Sequence, residues 1–303
     1  MKIRAFILFL AVFFCCEARA AEKLEMEMRA DGIYFNNTNV EVVKKIFKDF
    51  KYDNFITKNN KIPPLFLERM PVDFDKIESK NERNKLFIMI MSPLVLKVNE
   101  ELVFERKDLW DIKKDFDEGK ELDENQRKTV ENLVQKYDVF SRMKGRSYYA
   151  DVLEELMLKV NTVPPSIMIA AAVAESNWGT ADEVKQGNAL YKLKDWYTDK
   201  GIKPEGEDDD SYRIREYPDL LSAIRDYALK INSDINFFGL RMARWNIMNR
   251  NKTVRGRMMV HSMVVGSPLE NYAGLLNYIL TFYDLVNVDE SSLYSVVEIA
   301  ETE

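Results

Sequence analysis

Eight consecutive apolar residues in SIMIAAAVAESNWG, positions 167–174, constrain this chain more than any other segment. Pro164 and Pro165, just ahead in NTVPPS, mark a helix start, because proline is tolerated in a first turn whose N–H groups have no intrahelical partner. Gly179 offers the stop. Between them Ala170, Ala171, Ala172 and Ala174 leave little side-chain bulk and let a neighbouring helix approach closely. Glu175 follows this run directly. A carboxyl group at the end of a small apolar helix is where desolvation raises a pKa and keeps an acid protonated.

The rest of the composition narrows the chemistry. The chain opens MKIRAFILFLAVFFCCEARA, with Lys2 and Arg4 before an apolar stretch and small Ala18 and Ala20 framing a cleavage point, which reads as a secretory signal peptide over residues 1–20. Its apolar stretch is shorter than the roughly 20 residues of a membrane-spanning helix, so no stable span is expected after cleavage. Both cysteines, Cys15 and Cys16, fall inside it. The mature chain then has no thiol, and His261 is its only histidine. A His/Cys zinc site, a Ser-His-Asp triad and a Cys-His pair are excluded, so no metal or cofactor is expected and any hydrolysis falls to carboxylates. Glycosidases work in that way. His261, in RMMVHSMVVG, reads as a packing or surface residue. Removing Lys2, Arg4 and Arg19 along with Glu17 takes away a net two positive charges, so the formal charge of −6 becomes −8, which argues against nucleic acid as a partner.

Periodicity divides what remains. After a polar stretch to about Asn39, Val43, Ile46, Phe47 and Phe50 recur at helical spacing, and KNERNKLFIMIMSPLVLKVNEELVFERKDLW reads as a long helical region interrupted or kinked at Pro93. KKDFDEGKELDENQRK reads as a solvated turn, and Leu133, Val134, Tyr137 and Phe140 mark a further helix. Residues 21–145 are expected as a helical N-terminal region that braces the unit after it. From 146 to 289 helices dominate, with a strand-like SYRIREY in a small β-lobe and helical periodicity in LLSAIRDYALKI, RMARWNIM, VRGRMMVHSMVV and NYAGLLNYILTFYDLV. An acidic tail, 290–303, is expected to end the chain. The fold class read from this pattern is α+β, mostly helical, arranged like lysozyme.

AAAVAESNWGT followed by GNALYKLK resembles the glucosaminidase domain of glycoside hydrolase family 73, whose pattern is an Ala-rich helix, Glu-Ser-x-Trp-Gly, then Asn-x-Leu-Phe-Gly-x-Lys. KGIKPEGEDDDSYRIREYPDLLSAIRDYALKIN and ENYAGLLNYIL are similar to its Bax-type bacterial branch, as is the upstream IPPLFLERMP with KLFIMIMSPLVLKVNEEL. The resemblance implies a secreted, periplasmic enzyme that acts on peptidoglycan glycan strands. In it Glu175 is the general acid at the bond between N-acetylglucosamine and N-acetylmuramic acid, with Trp178, Asn188, Tyr191, Tyr217 and Tyr272 along the substrate groove. Lys194 matches the end of the Asn-x-Leu-Phe-Gly-x-Lys element. Without the resemblance the tyrosines would read as core.

Two positions depart from the pattern. Lys192 stands where the family has glycine, and Arg213 where the branch often has a strand glutamate. Glu207, Asp208, Asp209, Asp210 and Glu216 are the nearby acids, but the residues single out none of them as a second carboxylate. Retaining, inverting and substrate-assisted mechanisms therefore all stay open. Two other functions stay open as well: a lytic transglycosylase using the same glutamate, and a catalytically silent protein that binds glycan or a partner, of which the sequence names none.

Overall fold

The computed structural model describes residues 24–57, 59–204, 211–263 and 271–295. The expected signal peptide, the acidic run 207–210 and residues 296–303 of the expected tail lie outside them.

The described chain opens with strands β1 (Glu25–Arg29) and β2 (Gly32–Asn36), helix α1 (Val40–Asp49), and short strands β3 (Lys61–Ile62) and β4 (Leu65–Leu67). β1 and β2 form an antiparallel hairpin, and β4 joins β2 in parallel. The expected polar lead-in to a helical region is therefore a three-stranded sheet. β1 is exposed on both faces, so no alternation marks a buried side. Asp31-Gly32 is the turn signal that stood in the sequence.

Helix α2 (Lys80–Asp117) runs for 38 residues, about 57 Å at 1.5 Å per residue. The expected interruption at Pro93 does not occur, and the reason lies 41 positions upstream. Pro93 has no N–H to give the Met89 carbonyl, which an interior proline leaves unpaired. The Tyr52 hydroxyl donates to that carbonyl instead, at 3.2 Å, from a side chain only 1% exposed.

Helices α3 (Glu124–Lys136) and α4 (Arg146–Lys159) follow, and the piece read as a solvated turn is in fact the end of α2, a turn, and the first residues of α3. Asp123 caps α3 in a capping box with Gln126. Then come α5 (Pro165–Ser176), α6 (Asp182–Gly187), β5 (Lys194–Asp195), β6 (Arg213–Ile214), α7 (Leu220–Ser233), α8 (Phe238–Met248), α9 (Gly256–Met259), α10 (Tyr272–Phe282) and β7 (Ser292–Leu293). β5 and β6 pair antiparallel as the small β-lobe. The fold is α+β and mostly helical, as the sequence pattern indicated. Among the described residues no helix is long and apolar enough to cross a membrane.

The packing does not divide where the sequence pattern changes. The distal half of α2 (Leu109, Ile112, Phe116) forms one core with α3 and α4. The proximal half shares a larger core with the N-terminal sheet, α5, α7 and α10. So α4 packs in the smaller core, and α2 joins the two. Part of the expected acidic tail is also structured, since β7 pairs in parallel with β3.

Helix α5 lies in the larger core, packed against α2, α9 and α10, and its residues 167–172 have no solvent exposure. Its N-terminus is held by Asp289, whose carboxylate accepts from the Ser166 backbone N–H, the Ser166 hydroxyl and the Gly256 N–H, each at 2.8 Å. Proline at the helix start provides no side-chain cap, so a residue more than a hundred positions away does so. The preceding turn is fixed by buried Arg244. Its guanidinium donates to the carbonyls of Thr162, Leu158 and Lys159 and to Asn232 Oδ1, at 2.8, 3.1, 3.3 and 2.8 Å. Burial, with Arg106 and Arg241 nearby, pulls it down to about 9, still cationic at neutral pH.

Tyr52→Phe is expected to cost about 1–2 kcal/mol in urea unfolding, because it leaves the Met89 carbonyl buried and unpaired. In a Pro93→Ala background, where the helix supplies its own donor, that cost is expected to shrink. An equal cost in both backgrounds would contradict the pairing.

Candidate active site

Helix α5 ends at Ser176, one residue beyond Glu175. Asn177, not the expected Gly179, makes the cap, at φ 47°, and Trp178 (φ 62°) and Gly179 (φ 75°) continue in the left-handed region. Three such residues in a row turn the chain sharply away from the helix axis, at a steric cost that the surroundings must offset. Gly179 is required there, since a Cβ would lie 2.7 Å from the Phe87 ring. The Ser176 hydroxyl pins the turn by accepting from the Gly179 N–H at 2.8 Å.

This geometry leaves Glu175 partly buried in the last turn of an apolar helix. Burial pushes its carboxyl above the ordinary range, against the hydrogen bond from the Tyr272 hydroxyl and the more distant Lys192 and Lys230 ammoniums. The negative end of the helix dipole acts in the same direction as burial. Tyr272 opens α10, is 3% exposed, and lies beside Glu175 and Tyr227. Tyr227, on α7, stacks on Tyr191 with ring centroids 3.8 Å apart and planes 4° apart. The Tyr191 hydroxyl donates to the Met168 carbonyl of α5 at 3.3 Å. Burial raises all three phenols far above the usual range, so they stay protonated.

Of the residues expected along the groove, Tyr191 and Tyr272 thus converge on Glu175, but as buried supports. Asn188 and Tyr217 form a separate knot. Asn188 is 1% exposed, ends α6 at φ 55°, and donates from Nδ2 to the Tyr217 carbonyl at 2.8 Å. The Tyr217 hydroxyl donates to Asp226 at 2.7 Å, where Arg215 also pairs at 2.9 Å. These contacts tie the β-lobe to α7. Trp178 packs edge-on against Tyr283, at 4.8 Å, and Phe87, at 6.1 Å.

The two departures also find a place. Lys192 has φ 43°, so the backbone keeps the conformation that favours glycine, and its ammonium pairs with Glu183 at 2.8 Å. Arg213, in β6, stands opposite Asp195 of β5. The Asp195 carboxylate already accepts from the Tyr197 and Thr198 N–H groups and the Thr198 hydroxyl. Glu216 is exposed. The charged groups acting on Glu175 among the described residues are therefore lysines. Among those residues no three of His, Cys, Asp and Glu assemble to hold a metal ion.

Residues 150–281, which contain Glu175, Tyr191, Tyr227 and Tyr272, match the family described as mannosyl-glycoprotein endo-beta-N-acetylglucosaminidase. The match covers a little under half of the chain, the part that carries Glu175. "Protein bax" of Escherichia coli (strain K12) is 22% identical over 194 residues, 63% of this chain and 66% of that protein, so the chain spans just under two thirds of that relative. The catalytic domain of the autolysin Auto from Listeria monocytogenes aligns at 18% identity over 52% of this chain and 96% of that one, with a TM-score of 0.31. The matched segment does not hold its own glutamate-bearing helix alone: Asp289, beyond residue 281, caps α5, and Phe87, before residue 150, backs Trp178. Tyr227 was not singled out in the sequence, where its spacing matches the apolar face of its helix.

The carboxyl of Glu175 is raised in the folded chain, so ionising it costs the native state. Below the unfolded carboxylate value of about 4.3 both states are protonated and the cost is absent. Glu175→Gln is therefore expected to raise Tm near neutral pH, with the gain fading as pH falls toward the unfolded carboxylate value. A gain independent of pH, or a loss, would contradict the desolvated carboxyl.

Proposed function

We propose that this chain is an exported peptidoglycan hydrolase, acting in the periplasm on the β-1,4 bond between N-acetylglucosamine and N-acetylmuramic acid, with Glu175 as general acid. The observation that carries the reading is a partly buried carboxyl in the last turn of the Ala-rich helix, with the Tyr272 phenol beside it and burial pushing it above its ordinary range. The glucosaminidase family of residues 150–281 supports the substrate class.

In this reading Glu175 gives its proton to the glycosidic oxygen as the C–O bond breaks, and water completes the hydrolysis. The hydrogen bond from Tyr272 steadies the carboxylate left behind. Trp178, three residues on in the same turn, offers an aromatic surface beside the site. Asn188 and Tyr217 shape the groove by fixing the β-lobe.

A second reading follows from the lysines. With Lys192 and Lys230 as the charged neighbours, a route needing one protein carboxylate fits the described residues. Attack by the substrate's own 2-acetamido group is one such route. Release of a 1,6-anhydro sugar by a lytic transglycosylase is the other.

Purified peptidoglycan digested by the chain and by Glu175→Gln, with mass spectrometry of the borohydride-reduced products, separates these readings. The expected result is reducing-end N-acetylglucosamine, lost by at least a hundredfold in the variant. A 1,6-anhydro product would indicate the transglycosylase, and no release from either protein would indicate the binder.

A further inference from the structure

Helix α10 carries apolar side chains on more of its surface than the core covers. Leu276, Ile279 and Leu280 are buried in the larger core, whereas Leu275, Tyr278 and Phe282 are 37%, 58% and 63% exposed. These three recur at i, i+3 and i+7, so they form one stripe along a helix about 16 Å long. A helix with one face on the core ordinarily turns polar residues to water on the other. A contiguous apolar surface left open is uncommon and marks a place where something binds.

The stripe does not end with the helix. The Tyr278 and Phe282 rings stack at 5.3 Å with planes 25° apart, Phe282 meets Tyr283 edge-on at 4.9 Å, and Tyr283 meets Trp178 edge-on at 4.8 Å. Four rings thus run without a gap from solvent to the turn that follows Glu175. Helix α2 fixes the inner pair: Phe87 backs Trp178, and the Asn84 amide donates to the Tyr283 hydroxyl at 2.6 Å. At the outer margin the Arg257 guanidinium, from α9, donates to the Thr281 hydroxyl at 2.9 Å.

We propose, on the glycan substrate argued above, that Tyr278 and Phe282 form an additional subsite for a β-1,4-linked chain of N-acetylated sugars leading away from the bond at Glu175. The chemistry of the surface selects this occupant. A pyranose ring presents C–H groups on its face, which pack on aromatic rings, and hydroxyl and acetamido groups at its edge, which need polar partners at the rim. The stripe supplies both, with rings at its centre and Arg257 and Thr281 at its margin. Continuity through Tyr283 and Trp178 puts it in line with the glutamate, so one strand can occupy both. A strand held at two places binds more tightly than either contact alone provides, and only a long strand can do so.

The test is equilibrium binding of the soluble hexasaccharide and disaccharide of β-1,4-linked N-acetylglucosamine by the full chain, in a Glu175→Gln background so that nothing is cleaved. Tyr278→Ala and Phe282→Ala remove exposed rings and leave the buried face of α10 intact. Each is expected to weaken hexasaccharide binding about threefold to tenfold and to leave disaccharide binding unchanged. Phe104→Ala, at a similarly exposed ring on α2, is expected to change neither. Unaltered hexasaccharide binding in both ring variants would overturn the proposal, as would no hexasaccharide binding by the Glu175→Gln chain. An equal loss for the disaccharide would also overturn it, since the rings would then act on the site itself. Self-association abolished by both variants, with sugar binding intact, would assign the stripe to a second copy of the chain instead. Ring-dependent hexasaccharide binding by a chain whose wild type releases nothing from peptidoglycan would support the subsite and refute the hydrolase.

Discussion

The burial of helix α5 is the constraint on which the rest of the structure depends. Six consecutive residues, 167–172, have no solvent exposure, so every side of the helix needs a neighbour. Those neighbours come from both ends of the chain: the proximal half of α2 before it, α9 and α10 after it. A helix in such surroundings is dry along its length, and any polar group at its end is desolvated whether or not it is paired. Glu175 occupies that end. Its elevated carboxyl is a consequence of where the helix lies, with the helix dipole adding to the same effect.

Holding such a helix in place takes contacts at long range. Asp289 caps the start, Arg244 fixes the turn before it, and Gly179 lets the chain leave beneath Phe87. Arg244 is a buried cation with backbone carbonyls and an amide oxygen as its partners, an arrangement that works because the last carbonyls of α4 lack intrahelical donors and carry the negative end of a dipole. The glutamate thus sits at the end of a rigid element, which is what an acid needs if its distance to a bond is to be fixed.

Much of this was legible in the sequence wherever the signal was local. The prolines before α5, the alanine run, the placement of Glu175 and the two-stranded β-lobe all follow from residues close together in the chain. What was hidden was non-local. Pro93 reads as a break unless Tyr52 is known to reach Met89, and nothing near Pro93 says so. The N-terminal hairpin was missed because β1 buries neither face, leaving only Asp31-Gly32 to mark it. Asn188 and Tyr217 matched a family pattern, yet their polar groups bind each other and Asp226, which identity alone does not reveal. Tyr227 looks like any core aromatic on an amphipathic helix, and its stacking partner Tyr191 lies 36 positions away. Lys192 shows the reverse case: the residue departs from the pattern while the backbone keeps the left-handed conformation that glycine would adopt, at a cost of about 1 kcal/mol.

The central claim is that a glutamate whose carboxyl is raised by burial performs the acid step, and its most direct test is the pH dependence of glycan cleavage by the wild-type chain. Cleavage is expected to fall as pH rises through a midpoint above the ordinary carboxylate range, and Glu175→Gln is expected to abolish that limb along with the activity. A midpoint at the ordinary glutamate value, or an unchanged limb in Glu175→Gln, would contradict it.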